Sequence, residues 1–203
     1  MTVNTKNRRK GAFAALPPGY ELYRRIDLTQ DRSALKAVVL FGMTAALALI
    51  VPMLFVHSPK EAFDMPAVEA AACIAASVTG MIVYIFLHEW AHGLFIRIFT
   101  GEKGAFGFDF RSFMAYAKSD WFFARGPYII IALAPLAIWT AVIGLLLSDM
   151  EEKYFWYLYA VQIFNVTGAS GDIYVVAAVL RMPRQVLAKD NGVSMDFYME
   201  TGL

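Results

Sequence analysis

Four apolar stretches, each long enough to cross a bilayer, leave this chain few ways to fold. In lipid every backbone N–H and C=O must find its partner within the protein, so a lone apolar stretch becomes a helix. A crossing takes about 20 residues, and residues 37–56, 70–98, 127–147 and 154–180 each supply that length. The first contains no charged residue, and the second is long enough to tilt or to project beyond the membrane. Pro135 predicts a kink in the third. The fourth is interrupted by Asn165, Gly168, Gly171 and Asp172, and opens with aromatic residues suited to a membrane interface. Charged residues make up only 17% of the chain, against about a quarter in soluble domains. The expected fold is an all-α polytopic membrane protein of about four transmembrane helices.

Charge orients the bundle. Sixteen of the 18 Lys and Arg residues fall before residue 37, between 97 and 126, or after 180, and only Lys60 and Lys153 fall in the other two connections. The positive-inside rule therefore places both termini and the middle loop in the cytoplasm. Residues 1–16 read as a disordered basic tail, 17–184 as the membrane-embedded domain, and 185–203 as a cytoplasmic C-terminal tail. No cleaved signal peptide is expected, because the basic leader is too long and no small-residue cleavage site follows. Cys73 is the lone cysteine, which excludes an intrachain disulfide. No basic-aromatic pattern points to nucleic acid.

Inside the second stretch stands His88-Glu89-Trp90-Ala91-His92. Histidines four apart share one helical face and can grip one metal ion. Glu89 between them is placed to act as general base on a water at that metal, which is the chemistry of a zinc peptidase. Ionisable groups are costly in lipid, which favours a functional reading over two packing histidines. A catalytic zinc needs a third protein ligand, and depth selects Asp172. His88 lies 18 residues past Ala70, and Asp172 lies 18 past Tyr154. At about 1.5 Å per residue both sit roughly 27 Å below the outer boundary. His57 falls on the opposite side; Glu102 and Asp109 of the middle loop are the fallback ligands. Asn165, two helical turns from Asp172, could hold a substrate carbonyl or an oxyanion, or simply tie two helices together. The small residues 167–171 allow close helix approach or local unwinding.

In the middle loop Phe106, Phe108 and Phe110 alternate with Gly107 and Asp109. This period of two predicts a short cytoplasmic-side hairpin or re-entrant strand beside the site. Its edge could take up an extended peptide as a further strand. An aromatic anchor at the membrane interface is the alternative.

The His88-Glu89-x-x-His92 helix, the loop after it and the Asn165…Gly171-Asp172 helix together resemble the site-2-protease class of intramembrane zinc metallopeptidases. The four-span layout and the early Pro18-Gly19-Tyr20, followed by Ile26-Asp27-Leu28, are more similar to the small bacterial membrane proteins grouped as "putative zincin peptidase". The resemblance implies one zinc ion on His88, His92 and Asp172, with Glu89 as general base. The chain departs from the larger class in showing Ser170-Gly171-Asp172-Ile173 where an Asn-x-x-Pro and a Leu-Asp-Gly run would stand. The expected activity is hydrolysis of peptide bonds in a membrane protein or peptide substrate near the cytoplasmic face. Two other readings use the same ligands: a non-proteolytic zinc-binding sensor, scaffold or transport component, and an amide hydrolase acting on lipid-linked substrates. The outer halves of the spans, almost free of ionisable groups, argue against a transporter.

Overall fold

The computed structural model describes residues 8–109, 114–192 and 194–201. Four helical segments are long and apolar enough to cross a membrane. These are α1 (Arg32–Val56), α3 (Ala67–Thr100), α4 (Arg125–Ser148), and a fourth built from α5 (Glu152–Gly168) and α6 (Ser170–Leu180); a short α2 (Lys60–Phe63) lies between the first two. Leu40, Leu47, Ile74, Phe86 and Leu145 point outward and exposed. An apolar surface of that extent needs a covering, and a bilayer supplies one.

Local chemistry sets the helix ends. The Asp31 carboxylate caps α1 by accepting from the backbone N–H groups of Ser33 (2.9 Å) and Ala34 (3.1 Å). At the other end of the design, α3 stops at Gly101, whose φ of 78° is left-handed. The Arg9 guanidinium donates to the Thr100 carbonyl there at 3.2 Å. A Cβ on Gly101 would displace that flexible guanidinium, so it is the left-handed φ that favours glycine here.

The expectation of an all-α fold needs correction. Eight strands are present among the described residues: β1 (Arg8–Arg9), β2 (Ala12–Phe13), β3 (Tyr20–Asp27), β4 (Ala105–Asp109), β5 (Met114–Lys118), β6 (Phe122–Ala124), β7 (Leu187–Asp190) and β8 (Ser194–Glu200). Six form an antiparallel sheet in the order β1-β2-β6-β7-β8-β3, while β4 and β5 form a separate hairpin. The hairpin matches the loop expectation as far as Phe106 and Phe108; Phe110 lies outside the described residues. Residues 8–16, expected to be disordered, instead carry β1 and β2, with Ala12 completely buried. Residues 185–203, expected to be a tail, instead carry β7 and β8, with Leu187, Ala188 and Phe197 buried. Both segments have apolar side chains to bury, and pairing across the sheet gives their backbones partners.

The core sits between this sheet and the helix ends that approach it. Phe123 of β6 and Phe197 of β8 meet Val175 and Val179 of α6, all four essentially inaccessible to solvent. Val175 and Val179 are four apart, so one face of α6 lies on the sheet. Asp172 heads the same stripe, one turn before Val175.

Candidate metal centre

His88 and His92 follow each other by one turn of α3, and Asp172 stands in the first turn of α6. The three ligand atoms converge. His88 Nε2 lies 3.2 Å from His92 Nε2 and 3.1 Å from Asp172 Oδ2, and His92 Nε2 lies 3.6 Å from Asp172 Oδ1. A helix N-terminus also favours a carboxylate. The break that makes one lies at Ala169, beside Gly168, which is the local unwinding that the small-residue run allowed.

The far side of each imidazole is tied down. His92 Nδ1 lies 2.9 Å from the Ile131 carbonyl oxygen, and His88 Nδ1 lies 2.7 Å from the Tyr84 hydroxyl. The carbonyl can only accept, so the His92 proton sits on Nδ1. Tyr84 spends its own proton on the Asn165 carbonyl at 3.3 Å, so its oxygen accepts from His88 Nδ1–H. Both Nε2 atoms therefore present lone pairs to one point, together with a carboxylate. Such a set repels itself unless a cation stands between its members. Its spacing also suits one, because ligand atoms about 2.0–2.2 Å from a tetrahedral ion stand about 3.3–3.6 Å apart. Two imidazoles, each held from behind, and a carboxylate beside them fit zinc in donor type.

A cavity of about 270 Å³ opens over this cluster. Glu89 lines it beside the three ligands, and so do Ala115, Tyr116 and Ala117 of β5. Three consecutive residues of a strand can border one cavity only along the strand's edge. The backbone N–H of Ala117 approaches the Glu89 carboxylate. Asp190, Gly192 and Met195 from the β7–β8 hairpin complete the lining, with Gly192 against the Tyr116 ring. The Asp190 carboxylate accepts from Gly192 N–H at 2.8 Å, and burial pushes it up to about 7.

The structure thus brings His88, Glu89, His92 and Asp172 together, and it does not bring Asn165 to them. Asn165 is fully buried behind the ligands, where its amide donates to Thr140 Oγ1 at 2.9 Å and to Gln162 Oε1 at 3.3 Å. The two-turn spacing to Asp172 assumed one continuous helix, and the break at Ala169 interrupts it. Among the other candidates, Glu102 accepts from the Trp121 indole at 3.0 Å, and Asp109 lies in β4. His57 pairs with Glu152 at 2.8 Å at the far end of the bundle and stacks on Phe155. Sequence reasoning missed Tyr84 and Asp190. The signal for Asp190 was the turn-forming pair Asn191-Gly192 directly after it. Tyr84 stands one turn before His88 on the same helical face.

Fold and site together define a candidate metal centre at the end of an apolar helical bundle. The model of the family described as "Putative zincin peptidase" matches residues 81–187, and the chain belongs to that family. The matched stretch contains His88, Glu89, His92 and Asp172, while β1, β2, β3 and β8 lie outside it. No curated protein and no solved structure matches the chain.

Proposed function

We propose that this chain is a membrane-embedded zinc metallopeptidase that hydrolyses peptide bonds of membrane-associated substrates near the cytoplasmic face. One observation carries the reading: His88, His92 and Asp172 converge in a cavity that also holds Glu89 and the edge of β5. Zinc held by the three ligands would supply Lewis acidity, polarising a peptide carbonyl and acidifying water. Glu89 is the group to take a proton from the attacking water and hand it to the leaving amine. The Ala117 N–H stands beside that carboxylate. An extended substrate segment lying along β5 gains backbone hydrogen bonds and passes Glu89 as it does so.

The cytoplasmic assignment is supported by the sixteen-to-two division of Lys and Arg, because the basic connections flank the end that holds the site. Cysteines placed at Lys103 and Glu151 read this orientation, the first reacting only from inside and the second only from outside. For the chemistry, the full chain in bilayer discs is incubated with a panel of membrane-derived peptides. Glu89→Gln should keep its zinc and lose about 10²- to 10⁴-fold in cleavage rate. Cleavage by that variant at the parent rate would rule the mechanism out.

A further inference from the structure

We infer that Pro135 is a positioning residue for His92, acting by leaving the Ile131 carbonyl free to hold the imidazole. In an α-helix the carbonyl of residue 131 accepts from the N–H of residue 135. Proline has no N–H, and its ring pushes the carbonyl four residues back out of the helical ladder. Helix α4 runs from Arg125 to Ser148 straight through Pro135, which is fully buried. The Ile131 oxygen is therefore a buried acceptor without its helical donor, which is costly in an apolar setting. His92 Nδ1–H meets that oxygen at 2.9 Å.

The pairing serves both groups. The carbonyl gains a donor, and the ring is fixed with its proton on Nδ1 and its Nε2 turned toward His88 and Asp172. Any other residue at 135 would bring back an N–H that competes for the same oxygen. The Nδ1 proton would then be shared or released, and the ring would be free to rotate away from the other ligands. A second contact registers α4 against the same turn of α3: the Trp139 indole, four residues after Pro135, donates to the Leu87 carbonyl at 3.2 Å. Helix α4 is thus tied to the ligand helix on either side of Pro135.

This inference rests on reading His88, His92 and Asp172 as a metal centre, and it is independent of peptide hydrolysis. The chain has three histidines, so their ring signals can be assigned by NMR on the ¹⁵N-histidine-labelled full chain in bilayer discs. In the parent the His92 Nδ1 proton should be downfield and slow to exchange with solvent, with zinc present or removed. Pro135→Ala should shift it upfield and speed its exchange. Pro135→Val, closer to proline in volume, restores the same N–H and should do likewise if alanine repacks the site. In chelator competition both variants should bind zinc about 10- to 100-fold more weakly. Pro52→Ala, which restores an N–H in α1 away from the site, should change neither reading. A His92 Nδ1 proton that is unchanged in both Pro135 variants overturns the inference. Failure of the parent itself to bind zinc, with the proton shift still seen, would overturn the metal reading and leave the role of Pro135 in orienting His92 standing.

Discussion

The hydroxyl oxygen of Tyr84 lies 2.7 Å from Nδ1 of His88, one turn along the same helix. The ring of Tyr84 packs edge-on against Phe164 of α5, 5.7 Å between centroids, and its hydroxyl donates to the backbone of Asn165. One ligand of α3 is thereby referenced to the neighbouring helix through a single oxygen atom.

Tyr84→Phe removes only that atom and leaves the ring packing in place. Zinc affinity should fall about 10- to 100-fold, in line with losses of other groups that orient metal-bound histidines. Stability of the zinc-free protein should fall by only about 1 kcal/mol. Chelator competition and thermal unfolding read the two effects separately. Parent-like zinc affinity in the variant would show that the hydroxyl does not orient His88.

Asn165→Ala should behave in the opposite way. The side chain ties α5 to Thr140 of α4, while the Tyr84 bond goes to the Asn165 backbone and survives the change. Expected are a stability loss of about 1 kcal/mol, parent zinc content and parent turnover. If turnover collapsed while zinc and thermal stability held, the amide would be handling substrate after all.

Asp190 gives a pH dependence with a definite sign. Burial, reinforced by the charges of Asp172 and Glu89, raises its carboxyl to about 7, against the pull of Gly192 N–H and His92. An acid that is neutral when folded but ionised when unfolded costs stability as pH climbs past the ordinary carboxylate value of about 4. The cost stops growing above about 7. In chelator-treated protein Asp190→Asn should therefore raise the melting temperature at pH 8, with the gain shrinking to nothing near pH 4. A lower melting temperature for the variant at pH 8 would mean that the charged form of Asp190 is the one the fold favours.

The sequence revealed chemistry more readily than architecture. His88, Glu89 and His92 are local on one helix, and counting residues from the outer boundary brought Asp172 to the same depth, where it sits 3.1 Å from His88. Residue counting measures depth along a helix axis but not rotation about it, so the break at Ala169 removed Asn165 from the cavity. The six-stranded sheet was hidden for another reason. Strands β1, β2 and β6 are two or three residues long, too short for alternation to register. Their partners also come from distant parts of the chain. Only Asn191-Gly192 was a local signal for it, in a segment whose charge made it look like a tail.

The pairing of β3 with β8 sets an order of events. Tyr20 lies opposite Glu200, and β8 in turn carries β7, the strand that brings Asp190 to the cavity. The N-terminal half of that partnership is made first and waits through the synthesis of every long apolar helix. A chain still emerging from the ribosome at residue 180 already contains His88, Glu89, His92 and Asp172, but one wall of their chamber has yet to be made. Contacts so remote in sequence form late, so the chamber closes only after translation has passed the last strand. During its own birth the centre is open on the side where the finished protein is shut.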